Sequence, residues 1–331
     1  MDNYAAVLHQ MQAFGVDFKA ADLPLTIPTP KRKTCGAKGK YWYWLQLFRP
    51  RNGGCFVVGK FGTYRHGGSE CKVDVDWREL ADADKERMQA ERLAAAERAR
   101  QAKAEGAALA ALGAADLWRR ASPQGRSPYL ARKGVQAEAC RYLPDGTLVV
   151  PLLRYDWPRG QALCGVQRVL PDGTKLFTKG FAKPGCAVRL GVVQATDAVV
   201  LVCEGYATGL TLRMATAQAV AVYVALDAGN LAHVLPLLRE LHPACHLLVC
   251  ADDDWRTVDP HNGELTNPGR TAARAVCKQV SRADFVWPVF DAATRQAKDT
   301  DYNDLHQREG LPAVQRQLAG VLAAMGVAIV G

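Results

Sequence analysis

The sequence predicts an α/β protein whose C-terminal part is a parallel sheet, preceded by an α+β subdomain, a long helical linker and a small N-terminal β module. Three observations carry that prediction. Four apolar runs, at 198–203, 219–226, 246–250 and 285–290, alternate with helix-forming segments that begin near Tyr206, Leu231 and Pro268. Buried strands separated by helices make a parallel sheet. A proline-free stretch from Asp82 to Leu117 consists largely of Ala, Glu, Arg, Lys and Gln, strong helix formers with few large apolar residues to anchor them. The run Tyr41-Trp42-Tyr43-Trp44, with Gly and Pro on both sides, reads as a strand of a compact β module.

In chain order, residues 1–75 form the β-rich basic module. Its rings, Tyr41, Trp42, Tyr43, Trp44 and Phe48, lie close to Lys38, Lys40, Arg49, Arg51 and Lys60. Rings that stack bases beside cations that hold phosphates suit single-stranded DNA, while alternation along a strand commits about half of those rings to a core. Residues 76–121 are the helical linker, solvated because charges of both signs are mixed along it. The stretch Ser122-Pro123-Gln124-Gly125 ends it. Residues 122–192 form the α+β subdomain, with strands expected at 148–153, 162–170 and 175–178, and turns at Pro144-Asp145-Gly146 and Pro171-Asp172-Gly173. Residues 193–304 hold the parallel sheet. The segment from Asn303 to Met325 reads as one last helix, so that 305–331 is a C-terminal helical region.

Composition narrows the classes. The 331 residues make room for about two domains. With 49% hydrophobic and 23% charged residues and no apolar run near the ~20 needed to span a bilayer, neither a membrane protein nor a disordered chain is expected. The start, Met1-Asp2-Asn3, is not a basic segment followed by an apolar one, so a cytoplasmic location is expected. No pair among the ten cysteines has C-x-x-C spacing, so no zinc is expected. Residues 1–190 carry an excess of thirteen positive charges and 191–331 an excess of four negative ones. That asymmetry joins a polyanion-holding part to a part whose carboxylates act locally.

Those carboxylates fall at strand ends. Glu204 follows the first apolar run and opens Glu204-Gly205-Tyr206-Ala207-Thr208-Gly209; Asp252, Asp253 and Asp254 follow the third. Ligands of open α/β sheets bind outside the carboxyl ends of the strands. Oxygen ligands alone favour Mg²⁺ or Mn²⁺ over zinc. Asp252 and Asp254, two apart on extended chain, point to one side and Asp253 to the other. Asp301 is a further candidate ligand; it or Asn303 equally suits the N-cap of the final helix, and Asp304 suits its first turn.

A strand ending in Glu-Gly, a later one ending in Asp-x-Asp, and a helix entered through Asn267-Pro268-Gly269-Arg270 resemble the Toprim domain of primases, topoisomerases and some nucleases, a Rossmann-like fold. The phrases at 127–135, 149–180, 228–231 and 301–305 are most similar to Toprim DNA primases of plasmids, phages and integrating elements. The resemblance implies that Glu204, Asp252, Asp254 and Asp301 bind metal, with Glu204, Asp252 and Asp254 catalytic. It implies nucleotide or template contacts at Arg168, Lys175, Lys179 and Lys183 in the primase subdomain, and template contacts at Arg132 and Lys133. Where replicative primases carry further acids, this chain has Thr208 and Asn303, and residues 255–266 are an insertion.

The implied activity is template-directed synthesis of short RNA primers on single-stranded DNA from ribonucleoside triphosphates, for replication of a mobile element. A separately encoded replicative helicase is the expected protein partner. Two other readings use the same residues: a Toprim nuclease, and a weakly active single-stranded DNA-binding or transfer protein.

Overall fold

The computed structural model describes residues 1–50, 53–63, 69–75, 82–259 and 263–327. Arg51 and the side chain of Lys38, two of the expected cations of the N-terminal module, lie outside the described residues. The chain divides into two compact units between Gln101 and Ala102, with the short segment Asp259–Gly263 assigned to the first.

The first unit opens with α1 (Tyr4–Ala13), followed by β1 (Lys33–Cys35), β2 (Tyr41–Phe48), β3 (Phe56–Thr63) and β4 (Ser69–Lys72), an antiparallel sheet in sequence order. Val7 and Met11 of α1 share a core with Tyr43, Leu45, Val57 and Phe61. Burial of the four adjacent rings does not simply follow the face of the strand. Tyr43 is in the core, and its hydroxyl accepts from the Thr26 amide at 3.2 Å. Trp42 points to the other face, yet the Arg32 guanidinium lies 3.9 Å over its ring and it is buried as well. Tyr41 and Trp44 are half-buried.

A 39-residue helix, α2 (Asp82–Arg120), crosses from the first unit into the second, so the division falls inside the expected linker. Its C-terminal turns are anchored by Ala114, Leu117 and Trp118, which pack on Val149 and Val166; near its start Arg87 donates to the Arg49 carbonyl oxygen at 2.6 Å. After α3 (Pro128–Lys133) come β5 (Arg141–Tyr142), β6 (Leu148–Leu153), β7 (Leu163–Val169) and β8 (Lys175–Phe177), again antiparallel in sequence order. Directly opposed residues share a face. Leu148, Val150, Val169, Lys175 and Phe177 therefore lie on the face toward the main core, and Val149, Val166, Arg168 and Leu176 on the α2 face.

The remaining elements are β9 (Val188–Leu190), β10 (Val199–Cys203), α4 (Tyr206–Ala215), β11 (Val222–Val224), α5 (Ala228–Leu241), β12 (His246–Cys250), the hairpin β13 (Thr257–Val258) and β14 (Leu265–Thr266), α6 (Pro268–Cys277), β15 (Ala283–Val286), α7 (Tyr302–Glu309) and α8 (Leu311–Ala324). The sheet order is β15-β12-β10-β11-β9. Four strands are parallel as the apolar runs predict; β9 adds an antiparallel edge against β11. Three residues long, β9 lacks a run that the sequence could display. The last strand also lies earlier than the expected run at 285–290.

Every residue of β10 is buried. Leu201 and Cys203 enter the core shared with α4 and α8, while Val200 and Val202 enter the one shared with α5 and α6. This two-sided burial, on the order of 1.5–3 kcal/mol per large aliphatic side chain, fixes the level at which the strand ends. The single last helix expected from Asn303 to Met325 is two helices. Gly310, at φ +85°, breaks the chain direction, and Pro312 enters α8 in its first turn, where its missing amide hydrogen costs nothing.

Candidate active site

The strands β10 and β12 are adjacent and parallel, with Cys203 opposite Cys250. Both chains thus leave the sheet at the same level, delivering Glu204 from one and Asp252 from the next. Glu204 is 7% exposed. Its Oε1 and the Oδ1 of half-buried Asp252 are closed off from solvent without a hydrogen-bond partner. Burial, then the charge of Asp254, pushes the Glu204 carboxyl up to about 7, although the amides of Asp252 and Ala228 pull the other way; Asp227 adds to the rise. Asp252 is raised well above the usual carboxylate range, first by burial and then by Asp301, Glu204 and Asp254. These acids form one electrostatic cluster.

The other two candidate ligands carry additional bonds. Asp254 Oδ2 accepts from the Gly269 amide at 3.0 Å, in the first turn of α6, and its own amide donates to Asn267 Oδ1 at 3.1 Å. Asp301 caps α7: Oδ1 accepts from the Asp304 amide at 2.8 Å, Oδ2 accepts from the Thr208 hydroxyl at 2.9 Å, and Asp304 returns the capping box. Burial and then Asp304 raise Asp301, against the pull of the Asp304 amide and Lys133. Thr208 thus supplies a donor to an acid instead of another charge. Asn303 is fully buried, its amide nitrogen donating to Lys133 O at 2.8 Å and Thr211 Oγ1 at 2.9 Å, a bond set no carboxylate could make.

Of the six candidate cations, two reach the acids or their neighbours. Lys133 Nζ lies 3.6 Å from Asp304 Oδ1, and Lys183 Nζ lies 2.6 Å from Asp227 Oδ2. Asp227 also accepts from the Asn230 amide as the N-cap of α5. Arg132 is exposed, with its guanidinium alongside Gly173, and Lys175 and Lys179 are exposed. Arg168 is exposed on the α2 face, opposite the face of Lys175. The resemblance implies nucleotide or template contacts for both, and the two stand one odd step apart in cross-strand register, which sends their side chains to opposite faces.

Residues 199–311 match the family model described as Toprim domain. The chain carries a Toprim domain. Over 251 residues it is 32% identical to the DNA primase TraC of Escherichia coli, a match that takes in 72% of this chain and 17% of that relative. A second Escherichia coli DNA primase TraC is 33% identical over 166 residues, 50% of this chain and 15% of the relative. The chain therefore spans less than a fifth of the length of the curated relatives it matches. Among solved structures, the primase fragment of the bacteriophage T7 primase-helicase protein superposes with a TM-score of 0.39 at 12% identity, over 58% of this chain and 69% of that one.

Within the Toprim domain, sequence reasoning missed two features. Asp227 ends the segment after β11, beside the first acid, but a lone Asp before a helix reads only as a cap. Asp253, side by side with the candidate ligands, is buried in a set of bonds to Asn267 (2.6 Å), Arg270 (3.3 Å) and Arg295 (2.9 Å). Its pointing away from Asp252 and Asp254 could be read from their spacing, but its two arginine partners could not.

Among the described residues no group of three or more His, Cys, Asp or Glu side chains is placed to hold a metal ion. Magnesium does not require one: it typically takes one or two carboxylates together with waters and substrate phosphates. The two buried, partnerless oxygens of Glu204 and Asp252 fit that demand, since a divalent ion would compensate the charge that burial now penalises. Among the described residues no helix is long and apolar enough to cross a membrane.

Proposed function

We propose that this chain is a DNA primase that makes short RNA primers on single-stranded DNA by divalent-metal-dependent nucleotidyl transfer, in the replication of a mobile element. The observation that supports the reading is the pair of buried, partnerless carboxylate oxygens on Glu204 and Asp252, delivered by adjacent parallel strands of a Toprim domain.

In the reaction, a ribose hydroxyl attacks the α-phosphorus of a ribonucleoside triphosphate. A new P–O bond forms as the bond to pyrophosphate breaks, and the hydroxyl proton passes to water. Mg²⁺ or Mn²⁺ at this site would offset the negative charge on the attacking and leaving oxygens. Glu204 and Asp252 act as oxygen ligands, with Asp254 and Asp301 adding negative field from fixed positions at two helix starts. Lys133 and Lys183 stand where an entering phosphate would exchange for their present carboxylate partners. Arg132, Lys175 and Lys179 hold template. Positioning and electrostatics supply the rate, with no protein group required to donate a proton. A separately encoded helicase completes the set of partners, and the cytoplasm is the place of action.

One observation favours a second reading, a single-stranded DNA-binding protein with little catalysis: Asn303 is committed to structural bonds where replicative primases carry an acid. Incorporation of labelled ribonucleotides on single-stranded templates, with Mg²⁺ or Mn²⁺, separates the two. Glu204→Ala and Asp252→Ala are expected to abolish incorporation while retaining oligonucleotide binding; full yield from either variant overturns the assignment. Cleavage of the template without incorporation would instead identify a Toprim nuclease.

A further inference from the structure

Lys175, Phe177, Lys179, Phe181 and Lys183 recur at every second position, a cation–aromatic alternation that begins on the edge strand β8 and ends at the ion pair with Asp227 beside the acid cluster. The two rings stack, with centroids 5.6 Å apart and planes inclined by 21°. Phe177 remains 38% exposed. Gly165 makes the seat for this pair, because a Cβ there would come within 3.0 Å of the Phe181 ring. Lys175 and Lys179, on either side of Phe177 in the chain, are exposed.

We propose that the Phe177–Phe181 pair is a stacking platform for a base of single-stranded nucleic acid, with Lys175 and Lys179 on the flanking phosphates. A half-exposed ring on an edge strand adds little to the fold and leaves an open π-face, and stacking on such a face tolerates any base. Cations on both sides of Phe177 along the chain suit a polynucleotide, whose phosphates continue in both directions; a mononucleotide carries phosphates on one side only. The inference rests on the primase reading for one point, that the bound strand is the template.

The strand carries its own control. Leu176 is also 38% exposed but faces the opposite side, across from Arg168. In EDTA, so that no synthesis occurs, the full chain is titrated against a fluorescently labelled single-stranded oligodeoxynucleotide. Phe177→Ala is expected to weaken binding about tenfold, Phe177→Trp to restore it, and Leu176→Ala to leave it unchanged. In the unmodified chain a 2-aminopurine base in the oligonucleotide is expected to lose emission on binding, a loss that Phe177→Ala removes. Equal binding by Phe177→Ala and the unmodified chain, or an equal loss in Leu176→Ala, overturns the platform. So does an effect of Phe177→Ala confined to the KM for ribonucleoside triphosphate, which would give the ring to the incoming nucleotide. Lack of primer synthesis by the unmodified chain would overturn the primase reading and leave this binding comparison intact.

Discussion

Arg295 Nη2 lies 2.9 Å from Asp253 Oδ2 and also donates to the carbonyl oxygens of Asp253 and Asp299. Its guanidinium is flanked by the Trp255 and Phe290 rings at 4.5 and 4.7 Å. The Asp253 amide in turn donates to Thr300 O at 2.7 Å. One arginine thereby ties the loop that carries Asp252 and Asp254 to the segment that leads into Asp301. Arg295→Ala leaves the buried Asp253 with fewer partners and should cost about 3 kcal/mol, measured by urea unfolding. Arg295→Lys keeps the charge but not the planar fork and should recover only part of that loss. A stability unchanged in Arg295→Ala would show that the tie contributes nothing.

Gly269 supports Asp252 by what it lacks. A Cβ at this position would stand 2.4 Å from the Asp252 carbonyl oxygen, a backbone atom that no rotamer change can move aside, while the Gly269 amide holds Asp254. Gly269→Ala should therefore displace both acids at once. The expected outcome is loss of at least about 100-fold in primer synthesis, since misplacing reacting groups by about 1 Å has that effect, with circular dichroism reporting a largely retained fold. Wild-type synthesis by this variant would show that the close approach is not needed.

Neutral isosteres at the acids should separate stability from activity. Glu204→Gln and Asp252→Asn each remove a charge that burial and neighbouring carboxylates oppose. At pH 8 without metal, both variants are expected to melt a few degrees higher than the unmodified chain while synthesising no primers. A lowered melting temperature together with lost synthesis would mean that these carboxylates hold the fold together.

The pH dependence follows from the same shift. Glu204 binds its proton more tightly in the folded chain, near pH 7, than at the ordinary value of 4.5. Its contribution to stability is therefore most favourable below about pH 4.5, declines as the pH rises through 7, and stays low above that. The difference is on the order of 3 kcal/mol, and Asp252 acts in the same direction. Thermal melts in EDTA should show a less stable chain at pH 8 than at pH 6, with Mg²⁺ raising the melting temperature more at pH 8, where the carboxylates are ionised. Metal-induced stabilisation that is larger at pH 6 would contradict this assignment.

The sequence by itself determined the parallel strands and which acids leave them. Continuous apolar runs such as 199–203 have no polar side to offer solvent, and a carboxylate directly after such a run has to stand at the sheet's rim. It also determined that Asp253 points away from Asp252 and Asp254, because side-chain direction alternates along extended chain. Only the tertiary structure decided what each charge meets. Arg168 and Lys175 look equivalent in the chain, but cross-strand register places them on opposite faces of their sheet. The partners of Asp253 at 270 and 295, the Thr208 hydroxyl on Asp301 and the antiparallel edge formed by Val188–Leu190 likewise depend on the packing of distant segments. Local periodicity records which side chains avoid water; it does not record which distant oxygen or nitrogen will lie within 3 Å, because that distance is set by how whole strands and helices stack.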